Sequence, residues 1–357
     1  MSVFVPKGDV MLTEQLQEFT SYIWWQTPEE SLQQPEHLMA YVMNMGTYSD
    51  VRKLLAIVEK SVLRTVLKYA TPGWFNHRSW SFWHNRLFNM QAGDIPPLPV
   101  RKVPQPPLSE RDKYYQADFS GNYKKKPSGR KKMSNVFWDI LPSEQYALWP
   151  ELRQLFSLGL VLYGGTAIAL QLGHRQSVDF DFFTNRPLDK KTILALPFLE
   201  GAAVLQDSMD TLSFRTAEGV KLSFFGGINF GRITSPTKID GVWVASLDDL
   251  LATKLKTLFD RLEVKDYRDI AAILRAGYDL SCGLACGESL FGRAFVSLEA
   301  MKILTWFNER ELDTLSQEDR ETLMTAVHGV EEIPAPPEKE EELAGGDDGE
   351  KCSFSPC

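Results

Sequence analysis

The stretch that most constrains the fold is residues 160–183, LVLYGGTAIALQLGHRQSVDFDFF. It opens with four apolar residues, a pattern that indicates a buried strand. The turn Gly164-Gly165-Thr166 follows, and apolar residues at helical spacing come directly after it. Glycine allows a close backbone approach at such a strand-to-helix turn. The unpaired N–H groups of the first helical turn can then bind a phosphate.

The end of the same stretch alternates polar and apolar residues. Asp179 and Asp181 alternate with Val178, Phe180 and Phe182. Because strand side chains have a period of two, both carboxylates are expected on one face of a strand. Two parallel carboxylates repel each other, and oxygen ligands of this kind favour Mg²⁺ shared with substrate phosphates. The alternative is a solvated strand beside a glycine turn that only packs a helix onto a sheet.

The ordered set of strand, GGT turn, short helix and Asp-x-Asp strand resembles the signature of the polymerase-β-type nucleotidyltransferase superfamily. In detail it is similar to the AbiEii/AbiGii-type nucleotidyltransferase toxins of bacterial toxin–antitoxin and phage-defence systems. The resemblance implies that Asp179 and Asp181 bind Mg²⁺ or Mn²⁺ on a nucleoside triphosphate. The residues it implies for nucleotide binding are Gly164, Gly165, Thr166, Arg175 and Ser177. His174 is a candidate general base, with a structural role as the alternative.

A second informative stretch is residues 248–270, DDLLATKLKTLFDRLEVKDYRDI. Lys254, Arg261 and Lys265 lie seven and four residues apart, so on one helix they are expected near one face. Such a face could neutralise a triphosphate. An exposed helix with internal ion pairs is the alternative interpretation.

The order of charges in this stretch also resembles the second block of the AbiEii-like family. The resemblance implies that Lys254 contacts a phosphate and that Asp269, or less well Asp266, is a catalytic acid. It further implies nucleotide contacts for Arg261, Lys265 and Asp266.

One strand departs from the superfamily pattern. A third metal-binding carboxylate is expected on the strand predicted at 220–225, but that segment contains no acid. Ser223 occupies the corresponding place, and Lys221 is a candidate phosphate contact. The departure weakens any prediction of complete two-metal chemistry.

Composition shifts divide the chain into units. Residues 101–132 contain ten Lys or Arg against three acids, which predicts a solvated linker or an RNA-binding arm. Residues 331–357 contain nine acids against two lysines, which predicts a disordered tail. The predicted units are a helical domain at 1–103, a basic proline-rich linker at 104–132, a nucleotidyltransferase domain with a helical cap at 133–330, and the acidic tail at 331–357.

The helical unit carries the segment HRSWSFWHNRL, which resembles small helical proteins encoded upstream of such toxins and regarded as their antitoxins. The aromatic residues of 74–83 are expected either in a core or at a partner-binding face. The resemblance implies an intramolecular contact between residues 1–103 and 133–330.

The totals suit a soluble chain of about two domains: 357 residues, 43% hydrophobic, with no apolar run as long as a membrane span needs, about 20 residues. No signal-peptide pattern is present at the start, so the cytoplasm is the expected location. The four cysteines form no disulfide framework or zinc motif. The predicted fold class is α/β (α+β), a mixed sheet with a C-terminal helical cap, preceded by a small all-α domain.

Three functions remain open at this point. The first is Mg²⁺-dependent transfer of a nucleotide from an NTP to RNA, with the tRNA 3′ end as the acceptor that the resemblance implies. The second is nucleotidylation of a protein hydroxyl. The third is a catalytically silent nucleotide- or RNA-binding module, which the missing strand carboxylate favours.

Overall fold

The computed structural model describes residues 10–90, 93–100 and 136–345. The predicted basic linker at 104–132 lies outside these ranges. The N-terminal part folds into short helices, as its periodicity predicts. These helices are α1 (Val10–Leu16), α2 (Pro28–Leu32), α3 (Pro35–Met45), α4 (Tyr48–Ile57), α5 (Lys60–Lys68) and α6 (His77–Phe88).

The aromatic segment of the N-terminal unit is mostly core. Trp80, Phe82 and Trp83 of α6 are buried, and Trp83 Nε1 donates to the Met43 carbonyl at 2.7 Å. Because a buried indole N–H needs an acceptor, this bond fixes how α6 packs on α3. The large aromatic rings of α6 therefore lie in a core, and not at an exposed partner-binding face.

The described residues of the following domain build a mixed sheet of seven strands. The strands are β1 (Val161–Tyr163), β2 (Asp179–Phe183), β3 (Ala203–Ser208), β4 (Thr211–Arg215), β5 (Lys221–Phe225), β6 (Thr237–Ile239) and β7 (Val242–Val244). Their order across the sheet is β3-β4-β5-β2-β1-β7-β6. β2 runs antiparallel to β1 and parallel to β5, and β1 runs parallel to β7.

The sheet has one apolar and one polar face around β2. Phe180 and Phe182 are completely buried, and they alternate with partly exposed Asp179 and Asp181. Pairing partners in a sheet project from the same face. The apolar face therefore forms the core, and the opposite face carries both carboxylates, as the alternation predicts.

Helices pack around this sheet in the remainder of the domain. They are α7 (Ser143–Leu148), α8 (Gly164–Leu172), α9 (Lys190–Leu194), α10 (Leu247–Thr257), α11 (Val264–Arg275), α12 (Leu280–Phe291), α13 (Ser297–Leu304) and α14 (Gln317–Gly329). The last five form the predicted helical cap. The side chain of Ser246 accepts from the Asp249 N–H at 3.1 Å and caps α10.

The prediction of one continuous helix across the second charged stretch is wrong. α10 ends at Thr257 and α11 begins at Val264, with a turn between them. On one helix, residues 12 positions apart would be separated by about 18 Å. Instead Lys254 Nζ lies 2.6 Å from Asp266 Oδ1, because the turn lets α11 fold back beside α10.

The N-terminal unit packs against the helical cap. Arg86 of α6 donates to the carbonyl oxygens of Val327 (2.8 Å) and Val330 (2.6 Å) at the end of α14. Lys302 of α13 donates to the Asn44 carbonyl at 2.7 Å. These carbonyl groups lie at the C-terminal ends of α3 and α14, where carbonyl oxygens accept bonds from outside their own helix.

Lys302 gives this contact a pH dependence. It is 1% exposed, and burial lowers its pKa to about 8 from 10.5. Below pH 8 the ammonium is charged in both folded and unfolded chains, and its burial is a cost. As pH rises from about 8 to 10.5 only the unfolded chain keeps the proton, so stability increases, by up to about 3 kcal/mol.

We therefore expect Lys302→Met to raise the melting temperature at pH 7.5, because it removes the buried charge while the Asn44 carbonyl keeps its bond from Ser79 Oγ. The gain over the unmodified chain should shrink between pH 8 and 10.5. Thermal unfolding of the variant and of the unmodified chain, at several pH values in that range, measures this difference in melting temperature. A gain that does not change with pH would contradict the titration of Lys302.

The prediction of a disordered tail is wrong for residues 331–345, while 346–357 lie outside the described ranges. Glu340 and Arg232 exchange backbone hydrogen bonds of 2.8 Å in both directions. Glu342 pairs with Arg186 at 2.6 Å, and Leu343 is buried. The acidic composition indicated disorder, but these acids have arginine partners elsewhere on the domain, which composition does not show.

No helix in the described ranges is both long and apolar enough to cross a bilayer.

Candidate active site

A cavity of about 270 Å³ opens on the polar face of the sheet. Its walls come from the end of β1, the start of α8, the approach to β2 and the α10–α11 region. The lining residues are Tyr163, Gly164, Gly165, Arg175, Gln176, Ser177, Val178, Asp179, Asp181, Phe183, Thr253, Lys254, Thr257, Arg261 and Lys265. Most of the residues singled out from the sequence therefore meet in one place.

The two carboxylates form the acidic wall of this cavity. Asp181 pairs across the sheet with Tyr163 on one side and with Ser223 on the other. Burial and the adjacent charge of Asp179 raise the pKa of Asp181, whereas Lys221, Lys254 and a hydrogen bond with the Ser223 side chain lower it. A raised pKa in an acid beside another acid indicates a site where bound positive charge would be stabilised.

Gly164 and Gly165 keep the space beside these residues open. Gly164 has a φ of +71°, and a Cβ there would lie 2.8 Å from Asp181 Oδ2. A Cβ on Gly165 would lie 2.1 Å from Arg175 Nη2. The GG turn is thus required by close contacts on both sides as well as by backbone conformation.

We expect Gly164→Ala to reduce activity at least about tenfold, because the new Cβ displaces the Asp181 carboxylate. The matched control is Gly201→Ala, which has a similar φ of +75° but nothing within 4 Å of the new Cβ. Both variants carry the backbone strain of a left-handed residue, about 1–2 kcal/mol. Steady-state rates separate them, and equal rates would contradict a close fit around Asp181.

The opposite wall carries cations held by two buried acids. Lys254 Nζ lies 2.6 Å from Asp266 Oδ1 and 2.8 Å from Asp269 Oδ2. Asp269 also accepts from Arg175 Nε at 2.6 Å and Nη2 at 2.9 Å, and it lies 2.7 Å from His174 Nε2. Asp266 and Asp269 are 0% exposed, so they orient these cations from behind the cavity.

Burial alone would raise the pKa of Asp269. The hydrogen bonds from His174 and Arg175 and the charge of Lys254 instead hold this pKa well below its usual range. Asp269 is therefore a fixed anion whose oxygens are already occupied. The sequence-based expectation of a catalytic acid at Asp269, or at Asp266, does not fit this geometry, because neither lines the cavity.

Two more predicted nucleotide contacts lie at the rim. Arg261 Nε is 3.1 Å from Asp266 Oδ2, and Lys265 Nζ is 2.8 Å from Glu263. Both side chains are about half exposed and line the cavity. Their cationic groups are therefore accessible from the cavity.

Thr166 and His174 are placed differently from the expectation. The Thr166 hydroxyl is buried against the Asp179 carbonyl and lies 2.8 Å from Ser177 Oγ, so it faces β2 and not the cavity. His174 is turned towards Asp269, and it is not among the lining residues. Ser177, in contrast, does line the cavity.

Sequence reasoning missed the aromatic and hydroxyl lining of the cavity. Tyr163 stacks on Phe183 with ring centroids 5.0 Å apart. Thr253 and Thr257 flank Lys254 one helical turn apart. The spacing of the threonines was a usable signal, since residues four apart share a helix face. The aromatic pair lies on two strands, so only the register reveals it.

The carboxylate oxygens of the acidic wall are the type of donor that a hard divalent cation prefers. This wall supplies two carboxylates on one sheet face, and the glycine at 164 leaves the Asp181 oxygen uncovered. Within the described ranges, His, Cys, Asp and Glu side chains form no group of three or more suited to a metal. A cation held here would take its remaining ligands from the substrate, as Mg²⁺ usually does at phosphate sites.

Residues 151–327 match the family model described as nucleotidyl transferase AbiEii toxin, type IV toxin–antitoxin system. Residues 151–327 are an AbiEii nucleotidyltransferase domain. The match begins after the N-terminal helices, so the resemblance of residues 1–103 to antitoxins stays a prediction. The matched residues include β1 to β7 and the carboxylates and cations of the cavity.

Two further similarities accompany the AbiEii match. An uncharacterized protein of Aquifex aeolicus is 34% identical over 139 residues, which cover 36% of this chain and 66% of the relative. A crystal structure of a candidate nucleotidyltransferase from H. pylori aligns with a TM-score of 0.35 and 17% identity. That alignment covers 52% of this chain and 90% of the H. pylori chain.

Proposed function

We propose that the chain transfers a nucleotide from an NTP to a hydroxyl of RNA, with the tRNA 3′ end as the acceptor. The reaction requires Mg²⁺ or Mn²⁺. The chain acts in a cytoplasmic toxin–antitoxin or phage-defence system. The observation that carries the proposal is the division of charge across one cavity. Asp179 and Asp181 form one wall, and Lys254, Arg175, Arg261 and Lys265 form the other.

This division suits a metal-bound triphosphate. The cationic wall binds the phosphate oxygens, while the N–H groups at the start of α8 add donors at a helix N-terminus. Lys254 neutralises charge on the leaving pyrophosphate, and its position is fixed by Asp266 and Asp269. The stacked pair of Tyr163 and Phe183 offers an apolar surface at the side of the cavity.

In the reaction, the acceptor hydroxyl oxygen forms a bond to the α-phosphorus, and the bond from that phosphorus to the bridging oxygen breaks. Pyrophosphate leaves with the electron pair, and the hydroxyl proton passes to solvent. The chain contributes positioning and electrostatic stabilisation, as in phosphoryl transfer generally. Bound at Asp179 and Asp181, Mg²⁺ would add positive charge to the phosphate oxygens.

Labelled NTPs incubated with the full chain, Mg²⁺ and either tRNA or protein test the acceptor. We expect the label in RNA. Label in protein would overturn the RNA proposal and establish nucleotidylation of a protein hydroxyl. Omission of one NTP at a time then identifies the nucleotide.

A catalytically silent binding module is the second candidate, and one observation favours it. The strand beside Asp181 presents Ser223 and not a carboxylate. Such a module would bind NTP with Mg²⁺ but would release no pyrophosphate with either tRNA or protein as the acceptor. Binding without pyrophosphate release, measured with both acceptors present, would replace the transferase proposal.

We further propose that the N-terminal unit acts as an in-chain antitoxin. It packs on the helical cap, and none of its described residues lines the cavity. Restraint would therefore act through the cap and not by filling the site. A tether of about 30 residues gives a local concentration in the millimolar range, so even a weak contact would be largely occupied.

A chain that begins at Met133 should be more toxic to a bacterial host than the full chain, because it lacks this restraint. Co-expressed residues 1–103 should then reduce the toxicity. Growth and RNA-labelling rates at matched protein levels measure both. Lower RNA labelling by the shortened chain would show instead that the N-terminal unit assists catalysis, and equal rates would exclude either role.

A further inference from the structure

Lys221 is a cation that lies beside the two carboxylates but is not part of the cavity lining. The parallel register of β2 and β5 pairs Lys221 with Asp179 and Ser223 with Asp181. All four side chains therefore project from the same sheet face. Lys221 is half-buried, yet it does not line the cavity that holds Lys254.

Lys221 also differs from Lys254 in its charge partners. No side chain in the described ranges forms an ion pair with Lys221, whereas Lys254 is held by Asp266 and Asp269. The charge of Lys221 still lowers the pKa of Asp181, against the larger effects of burial and Asp179. A half-buried ammonium that is close to a functional centre and not held in an ion pair is suited to an anionic ligand.

The sheet order places this cation on the far side of the carboxylates. β2 lies between β1 and β5. The glycine turn follows β1, and Lys254 lies on the helix that follows β7, beyond β1. Triphosphate groups in the cavity therefore lie on the β1 side of Asp179 and Asp181. Lys221 approaches the same carboxylates from the β5 side.

The basic row continues across the next strand. Arg215 of β4 pairs with Lys221, so both project from the site face. Arg215 is exposed, and its Nη1 donates a long bond of 3.3 Å to the Gly219 carbonyl. Ser223 and Ser213, which are paired with each other, continue the neighbouring row from Asp181 across the same two strands. The floor beside the carboxylates is thus polar and positively charged.

In-line displacement at phosphorus requires the attacking and leaving oxygens on opposite sides. With pyrophosphate leaving towards Lys254, the acceptor hydroxyl must arrive from the β5 side. We infer that Lys221 and Arg215 bind a backbone phosphate of the acceptor strand next to its reacting hydroxyl. This inference rests on the proposed function and extends it, because a phosphate site at this position selects a nucleic acid over a protein hydroxyl.

The test measures binding of a single-stranded RNA oligonucleotide to the full chain without NTP, at several salt concentrations. Lys221→Gln with Arg215→Gln should weaken binding about tenfold. It should also reduce the slope of log affinity against log salt by roughly 0.7 for each RNA phosphate that the protein no longer neutralises. Lys191→Gln with Arg293→Gln, which changes one exposed lysine and one exposed arginine outside the cavity, is the charge-matched control and should change neither quantity by as much.

A kinetic measurement keeps the inference separate from the transfer activity itself. We expect the Lys221/Arg215 double variant to raise the KM for RNA about tenfold while the KM for NTP changes less than about twofold. A higher KM for NTP with unchanged RNA affinity would assign Lys221 to the triphosphate instead. RNA affinity equal to that of the Lys191/Arg293 control variant would overturn the inference. The binding result is decisive even if the full chain transfers no nucleotide.

Discussion

Asp181→Asn should abolish nucleotide transfer, with a loss of at least about a thousandfold. The neutral amide cannot complete a cation site with Asp179, and the cation is needed to neutralise the triphosphate. The substitution removes a charge that burial and Asp179 already disfavour. The fold should therefore be retained, with a melting temperature equal to or above that of the unmodified chain. Asp179→Asn should behave in the same way.

The test compares each variant with the unmodified chain. It measures transfer rates at limiting and saturating Mg²⁺ and melting temperatures by thermal unfolding. Asp139→Asn removes an exposed carboxylate outside the cavity and is the control. It should leave the rate unchanged. Near-normal turnover of the Asp181 variant at limiting Mg²⁺ would show that the carboxylates of β2 do not hold the cation.

Lys254→Ala should reduce turnover by more than about a hundredfold, because it removes the cation nearest the leaving group. It should also destabilise the fold by about 3–5 kcal/mol, because Asp266 and Asp269 stay buried with one countercharge fewer. Lys254→Arg should not restore full activity. Lys254 is buried with its ammonium between two carboxylates, and a planar guanidinium does not place its charge at the same point.

The two effects of Lys254→Ala can be separated. The double variant Lys254→Met with Asp266→Asn removes one buried charge of each sign, so it should regain most of the stability but none of the activity. Lys256→Ala, on the same helix and paired with exposed Asp260, is the control. Recovery of turnover in the double variant would mean that Lys254 is structural. Full turnover in Lys254→Ala together with its loss in Lys221→Ala would identify Lys221 as the phosphate lysine.

Local patterns were sufficient to predict the first half of the site. The strand, glycine turn, helix and Asp-x-Asp strand lie within two dozen residues, and each has its own periodicity. The alternation around Asp179 and Asp181 fixes which face they share without knowledge of the rest of the fold. The strand predicted at 220–225, which is β5 in the structure, depends on local alternation in the same way. The short strands β6 and β7 were not predicted, and their place in the sheet depends on pairing of β7 with β1, which lies about 80 positions earlier in the chain.

The second half depends on tertiary structure. Charges at helical spacing predicted one face that includes Lys254 and Arg261, but a turn at residues 258–263 reverses the chain. Because of that turn, Asp266 and Asp269 are buried anions that hold Lys254, and not the catalytic acid and nucleotide contact that the resemblance implies. A sequence shows that these residues are charged, whereas only packing shows which of them remains accessible to a substrate.

The tail and the N-terminal contact illustrate the same limit over longer distances. Glu340 meets Arg232 across more than 100 positions, and Lys302 meets Asn44 across 258. Neither partner can be inferred from composition. The acidic charge of the tail was therefore assigned to disorder, although part of it is paired on the surface of the AbiEii domain.

In the proposed reaction, the chain transfers the nucleotidyl group of an NTP, which contains the α-phosphate, within the cavity between the carboxylates and Lys254. The most direct measurement incubates the full chain and its Asp181→Asn variant with RNA, Mg²⁺ and NTP labelled at either the α- or the γ-phosphate. With the full chain we expect α-label in the RNA and γ-label only in released pyrophosphate. With the variant we expect no labelled RNA and no released pyrophosphate. Label transferred from the γ-phosphate, or α-label transferred equally by the Asp181→Asn variant, would contradict the proposed reaction.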